Sequence, residues 1–290
     1  MHSSPFSRTR LAAIAAVVAI VTMAAAESQG AVLLAEPFQY PVGANLAGQN
    51  GGEGFSGVWS SGSSTLVAGL NGGGSAVAIN SSGGAQSRQL SSTQSTSGAT
   101  NYISYLMNSS NFTSGNYTGI DLFQGSTSQL FLGIPFNAQK FGFDAKNSLP
   151  IQTINFTPTT NTSYLVAIGL TPSTTSGKVD IKMWATSNLA IDPATLVAST
   201  PNAQLLGQKN NFSFDKVVLD GNMPNSLKVS GLAAAPTISE AVAVSVAAVP
   251  EPSTLFLTAS GLGVALWAAF RRRRGSRRAD ERLCGDRTAW

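Results

Sequence analysis

The sequence is short of the side chains that do most enzyme chemistry. Its 290 residues include one histidine, His2, and one cysteine, Cys284, each near a chain end. The interior therefore has no imidazole, no thiol and no disulfide. That excludes Ser-His-Asp and Cys-His catalysis, zinc centres built on Cys or His, haem ligation and a disulfide-stapled fold. Charge is scarce too: Asp, Glu, Lys and Arg make up 11% of the chain, against roughly 25% in an ordinary soluble domain. What is present is 43% hydrophobic residues, 29 glycines and abundant Ser, Thr and Asn.

The formal net charge of +4 belongs mostly to the C-terminal tail. Residues 271–290 hold eight Arg against two Asp and one Glu. Residues 31–249 hold seven Lys, one Arg, six Asp and three Glu, a balance near zero. With no clustered Lys or Arg in that middle, there is no surface to neutralise a phosphate backbone, and nucleic acid is not an expected partner.

Both ends read as targeting segments. Arg8 and Arg10 precede the apolar run LAAIAAVVAIVTMAAA, which ends in small residues. This is the n-region, h-region and A-x-A-like site of a secretory signal peptide over residues 1–26, with Ala24 and Ala26 setting cleavage before Glu27. Near the other end, Ser253 to Phe270 is free of charge. As a helix it would span about 27 Å, enough for a hydrocarbon core. Pro250 and Pro252 block its extension upstream. Arg271, Arg272, Arg273 and Arg274 follow at once and set topology by staying cytoplasmic, with residues 275–290 as a basic cytoplasmic tail.

Val249, Pro250, Glu251, Pro252 and Ser253, then the apolar span, then the arginine cluster, resemble the PEP-CTERM sorting signal of bacterial exported proteins, here over residues 249–274. The resemblance implies a partner, an exosortase-type membrane transpeptidase that cuts near Pro-Glu-Pro. It also implies a chain anchored transiently in the inner membrane and then passed to the cell surface or medium. The chain continues beyond the arginine cluster to Trp290, further than such signals usually run.

Between the ends, short apolar or alternating runs recur between turn-forming clusters such as Asn71-Gly72-Gly73-Gly74, Ser82-Gly83-Gly84 and Asp220-Gly221. Strands are expected at 32–38, 65–70, 76–79, 102–107, 119–123, 129–134, 141–145, 153–156, 163–170, 178–185 and 212–219. That pattern predicts an all-β, two-sheet antiparallel sandwich of jelly-roll type over residues 31–230. A single helical turn is expected at 192–197, with Asp192 as N-cap and Pro193 at the first position. Tyr102–Met107 is apolar at nearly every position, which predicts a central strand covered on both faces. In Lys178–Trp184, Val179, Ile181 and Met183 share one face, and Trp184 falls on the other, over a groove or a strand end. Phe212 and Phe214 share one face and Val217 and Leu219 the opposite one, so that strand is either buried on both sides or bulged near Asp215. The Ala/Val/Ser-rich stretch 231–248 is expected to be an extended stalk. The segments Glu36–Trp59, Leu122–Phe136, VDIKMWAT and FSFDKVVLDG resemble exported PEP-CTERM proteins with a concanavalin A-like, laminin-G-type ectodomain. That resemblance brings no catalytic motif.

The candidate sites are few. Gly52, Gly54 and Gly57 satisfy G-x-G-x-x-G, but no helix pattern follows and position 77 is Val77, so the motif reads as a turn-rich loop. Glycoside hydrolysis needs two carboxylates across a cleft, and no acid triplet lines one strand face. Calcium needs clustered oxygens, for which Asp121 and Asp220 are the nearest candidates. Carbohydrate contact needs exposed aromatics, for which Trp59, Tyr117 and Trp184 are available. The expectation is therefore an exported, non-enzymatic surface or matrix protein with no cofactor, structural or adhesive in the envelope or exopolysaccharide. The alternative is a carbohydrate-binding module with the same address, and a third reading is a polysaccharide-active enzyme.

Overall fold

The structure, a computed structural model, describes residues 32–246 apart from 73, 81–83 and 224–225. The signal peptide, the sorting signal with its apolar span, and the basic tail lie outside the described residues. Among the described residues no helix is long and apolar enough to cross a membrane.

The chain forms an antiparallel two-sheet sandwich. Its strands are β1 (Leu34–Glu36), β2 (Phe55–Ser56), β3 (Thr65–Ala68), β4 (Ser75–Ala78), β5 (Gln86–Ser95), β6 (Asn101–Ser109), β7 (Thr118–Gln124), β8 (Thr127–Ile134), β9 (Gly142–Asp144), β10 (Gln152–Thr153), β11 (Ser163–Pro172), β12 (Lys178–Thr186), β13 (Ala203–Asn210), β14 (Ser213–Gly221) and β15 (Leu227–Ala235). Two helices, α1 (Pro193–Ala198) and α2 (Ile238–Val246), complete it. Sheet A runs β13-β12-β11-β6-β15-β4-β3, with β1 also on β15, and sheet B runs β10-β9-β8-β7-β14-β5-β2.

Alternation assigns the faces. Ile103, Tyr105 and Met107 of β6, Val166 and Ile168 of β11, and Val179, Ile181 and Met183 of β12 point at sheet B. Ile120, Leu122, Leu130, Leu132, Val217 and Leu219 answer from sheet B, closing one apolar core. Phe214 joins that core together with Val217, and beside them the β14–β5 register shifts: Phe214 pairs with Gln94 and Lys216 with Gln89, so the extra residues lie in β5. Sheet A is covered on its other side as well. Leu106, Leu165, Ala167 and Trp184 pack there against Leu196 of α1 and Ile238 and Val242 of α2. This explains the continuous apolar run of β6. Asp192 caps α1 as expected, its carboxylate accepting from Thr195 N at 2.8 Å.

The expected stalk over 231–248 is corrected. Residues 231–235 belong to β15, in the middle of sheet A between β6 and β4, and residues 238–246 form α2. The small side chains that suggested an extended linker have a packing role instead. Ala233, Ala234 and Ala235 are buried. Gly231, at φ +61°, has no room for a Cβ because the backbone of Ser245 lies against it. Thr237 caps the start of α2, its Oγ1 accepting from Glu240 N at 3.4 Å and donating to Glu240 Oε2 at 2.7 Å, the side-chain pair of a capping-box sequence. The sandwich therefore extends to Val246 rather than ending at residue 230.

A buried polar cluster ties the N-terminal segment to sheet B. Glu36 accepts from Phe38 N, Tyr40 Oη and Trp59 Nε1, each at 3.0 Å, and from Arg88 Nη1 at 2.6 Å. Arg88 also donates to Gly57 O and to Asn50 Oδ1, and its guanidinium lies 4.6 Å from the centre of the Phe55 ring. Burial pushes the Glu36 carboxyl up, while Trp59, Phe38 and the Arg88 charge pull it back. The G-x-G-x-x-G stretch is the loop that carries this cluster. Gly52 and Gly54, at φ +73° and +78°, lie where a Cβ would strike the carbonyls of Ala35 and Leu33. The motif is thus a close backbone approach, followed by β2 and not by a helix.

Candidate functional site

The outer face of sheet B carries an open cleft of about 270 Å3. Four adjacent strands build its floor. The inward places on β7, β8 and β14 are taken by Ile120, Leu132 and Leu219, which leaves the intervening residues facing out. One outward row runs in register Val218–Asp121–Phe131–Asp144 across β14, β7, β8 and β9. The next row runs Asp220–Gly119–Gly133–Gly142. Three consecutive glycines across three strands put no side chain on that row, so the cleft is a depression bordered by Asp220 and by the loops.

Those loops supply the walls. Tyr117 precedes β7, Pro135 and Phe136 follow β8, and Lys146 follows β9, and all four line the cleft. Phe136 is 54% exposed. Tyr117 packs edge-on to Phe131 with ring centres 6.0 Å apart. Its backbone is fixed by Asn222, whose Oδ1 accepts from Tyr117 N at 2.7 Å. Lys146, Asn147 and Ser148 all hold positive φ, at 57°, 55° and 61°. Such a run of non-glycine left-handed residues is strained, of order 1–3 kcal/mol each. It turns the chain so that Lys146 Nζ sits 5.4 Å from the centre of the Phe131 ring.

Each carboxylate has its own partner. Ser128 Oγ lies 2.7 and 2.8 Å from the two oxygens of Asp121. Lys146 Nζ pairs with Asp144 at 3.1 Å. Asp220 accepts from Gly221 N at 2.7 Å and from the Tyr117 hydroxyl at 3.5 Å. Asp121 is only 6% exposed, and burial pushes its carboxyl up to about 6. Ser128 and Lys146 oppose that rise, and Asp220 and Asp144 add to it. Tyr117 is pushed up as well, by burial and then by Asp220.

Of the residues expected to touch carbohydrate, the structure keeps one at a surface site. Tyr117 lines the cleft. Trp59 and Trp184 are buried and so cannot form a platform. Trp59 donates to Glu36 inside the polar cluster, and Trp184 donates to Ser199 O at 3.0 Å beneath α1. Asp121 and Asp220, proposed from sequence as calcium ligands, do share this cleft with Asp144. Among the described residues, however, no group of three or more acids, His or Cys is placed to hold a metal ion. Phe131, Phe136, Asp144 and Lys146 were not singled out by sequence. Only the strand order β9-β8-β7-β14 brings them together, and local pattern does not encode strand order.

The fold defines an all-β, two-sheet antiparallel sandwich protein with an open cleft on one face. The C-terminal segment adds its address: residues 248–274 match the family model described as the PEP-CTERM protein-sorting motif. The chain carries this motif, which marks an exported protein and is the substrate signal of an exosortase. Among curated proteins, none matches the sequence significantly. Among solved structures, the chain is similar to the T. cruzi calreticulin globular domain, with 10% identity over 85% of this chain and 100% of that one at a TM-score of 0.46. It is similar too to domain 4 of AbnA, a GH43 extracellular arabinanase from Geobacillus stearothermophilus in complex with arabinotriose. There the identity is 12% over 74% and 98% of the two chains, at a TM-score of 0.41. The binding domain of botulinum neurotoxin serotype D gives 15% identity over 61% and 43%, with a TM-score of 0.41. Similarity of this degree brings no residue correspondence, and the arabinotriose belongs to the arabinanase.

Proposed function

We propose that the protein is an exported component of the cell envelope or exopolysaccharide matrix, processed by an exosortase and acting there as a structural or adhesive sandwich without catalytic activity. The observation that carries this reading is the order of parts. The sandwich runs to Val246, and the sorting motif occupies 248–274 directly after it. A signal peptide over 1–26 and a membrane helix over 253–270 complete the export route. Arg271–Arg274 resist transfer into hydrocarbon by about 2.5–3.5 kcal/mol each, which fixes the depth of the span. The chain is held in the inner membrane, cut near Pro250-Glu251-Pro252, and delivered to the surface or medium. The test is expression of the full chain with an exosortase, beside a variant with Ala at 250–252. Processing should vanish in the variant while export persists. A surface form whose mass still includes residues 277–290 would make this an ordinary membrane anchor.

Carbohydrate binding is the second reading, and the cleft favours it. Exposed Phe136 and half-buried Tyr117 offer flat apolar faces, and Asp121, Asp144, Asp220 and Lys146 ring them with hydrogen-bonding groups. That is the general composition of a small-molecule site, apolar walls with a few placed polar groups. The concanavalin A-like type of ectodomain is the fold that this reading assumes. The cleft lies on the outer face of sheet B, and α2 lies on the outer face of sheet A. Glycan-array binding of the processed protein tests the reading. Phe136→Ala and Tyr117→Ala should each abolish binding and leave stability within about 0.5 kcal/mol for the exposed Phe136. No binding to any glycan would sink it.

A further inference from the structure

Helix α2 is a short element with a specific set of attachments, and its last residue stands immediately before the sorting motif. At nine residues it is too short to hold its own fold in water. Its stability comes from docking. Ile238 and Val242 enter the cluster with Trp184, Leu106 and Leu165. Ser104 Oγ of β6 donates to Ala241 O at 2.8 Å and touches the Ser245 hydroxyl. Asn71 Nδ2 donates to Val246 O at 2.8 Å and thereby caps the final turn, which has no basic residue to do so. Ser245 presses on β15 closely enough that Gly231 has no space for a side chain.

The motif match begins at residue 248, and Pro250 is four positions after Val246. A transpeptidase that accepts this chain has to grip several residues upstream of the scissile bond in extended form, because a helical backbone has its carbonyls and amides already engaged. In the reaction the scissile C–N bond breaks, the carbonyl carbon bonds to the enzyme nucleophile, and the C-terminal fragment leaves with the amine and its proton. The upstream residues within reach of that grip are the last turn of α2.

We infer that α2 is a latch on processing: its C-terminal turn, held to sheet A through Ser104, Ser245 and Asn71, has to undock and unwind before the exosortase can engage the adjoining motif. The inference rests on the exosortase reading above. Processing is then governed by a local opening of the sandwich rather than by the motif alone, as expected of a terminal helix with few anchoring contacts. After the cut the helix is free to redock, so the mature domain keeps its complete sandwich.

The test locks the latch in the full chain, with Cys284→Ser throughout to leave no other thiol. Ser104→Cys and Ser245→Cys place two thiols where two hydroxyls already touch, and the oxidising envelope should join them. Processing by a co-expressed exosortase is followed by mass. The locked chain should accumulate uncleaved, each single variant should be cut at least as fast as the parent because it loosens the latch, and reductant should release the block. A ten-residue Gly/Ser insertion between residues 247 and 248 should restore cleavage of the locked chain, since the enzyme then no longer needs α2. Cleavage of the locked chain at the parental rate would overturn the latch and leave the exosortase reading standing. A lock that the insertion does not relieve would overturn it too, since the block would then lie elsewhere. An uncut parent chain would overturn the exosortase reading itself, and the latch with it.

Discussion

Arg88 Nη1 and Glu36 Oε2 meet at 2.6 Å inside the protein, with side chains 2% and 0% exposed. Arg88 is the single arginine of residues 31–249, and it is spent on this contact. The pair joins β1, the glycine loop and β5, because Glu36 also holds Trp59 while Arg88 also holds Asn50 and Gly57. An isolated buried charge is costly, so the two ends of the pair are not independent.

Arg88→Met should therefore destabilise strongly, by about 3–5 kcal/mol, by leaving the Glu36 carboxylate without its cation. Adding Glu36→Gln should recover part of that loss. Glutamine removes the stranded charge and keeps one acceptor oxygen, enough for Phe38 N or Trp59 Nε1 but not for both, since they bond to different oxygens of Glu36. Chemical denaturation of the two single variants and the double variant measures this. A cost under about 1 kcal/mol for Arg88→Met would mean that the pair contributes nothing the surrounding packing does not supply.

Phe214 tests the packing beside the β14–β5 register shift. It sits in the inter-sheet core beside Phe212, with ring centres 6.5 Å apart, and Val217 and Leu219 share that core across the β14–β5 register shift between Phe214 and Lys216. Phe214→Ala should cost about 3–5 kcal/mol, the range for emptying a packed aromatic site. A small effect of the alanine variant would place Phe214 outside the core.

An irregularity near Asp215 was one of two alternatives legible in the sequence, and the strands that the sequence defined best were those whose inward residues are apolar. β6, β11 and β12 are of that kind. β5 escaped notice because its inward residues are Gln86, Arg88, Leu90 and Gln94, so alternation of burial is not alternation of hydropathy. β13 escaped for a related reason: its inward places end in Lys209. β15 and α2 were misread because alanine and glycine look like linker, whereas here they permit a helix to approach a sheet. One local signal was available, the Thr237-x-x-Glu240 capping box. For the cleft, sequence supplied Tyr117, Asp121 and Asp220 as separate suggestions for two different ligands. Their assembly with Phe131, Asp144 and Lys146 depends on which strands become neighbours.

Asp121 gives the cleft a pH dependence. Burial lifts its carboxyl from 3.8 to about 6, with Asp220 and Asp144 adding repulsion against the pull of Ser128 and Lys146. The folded chain then holds a proton there at pH values where the unfolded chain has lost it. Stability from this group is complete below about pH 4 and is lost as pH rises through about 6, up to about 3 kcal/mol in all. Asp121→Asn keeps a partner for Ser128 and removes the titration. It should flatten the decline in thermal midpoint between pH 4 and 7 and leave the variant more stable than the parent at pH 7. Parallel pH profiles for the two proteins would show that Asp121 ionises as it does in water.

Lys209 presents the opposite sign. Its ammonium is 1% exposed, has no hydrogen-bond partner, and has the Phe212 ring as neighbour, 5.3 Å to the centre. Burial pushes its pKa down; the charge of Asp144 resists this, and that of Lys146 reinforces it. The unfolded chain therefore binds this proton more readily than the folded one. The group's contribution to stability is complete above the ordinary lysine value of about 10.4 and falls away as pH drops through the lowered folded value. Lys209→Met keeps the length of the stem and its packing on Phe212 and removes the buried charge. The variant should be more stable than the parent at pH 7 by about 1–3 kcal/mol, the usual penalty of a buried unsatisfied donor. The advantage should shrink as pH rises toward 10. Denaturation curves at pH 7 and pH 10 decide it. A methionine variant less stable than the parent at pH 7 would mean that the ammonium, lying between the two sheets beside Phe212, stabilises the sandwich in its charged form.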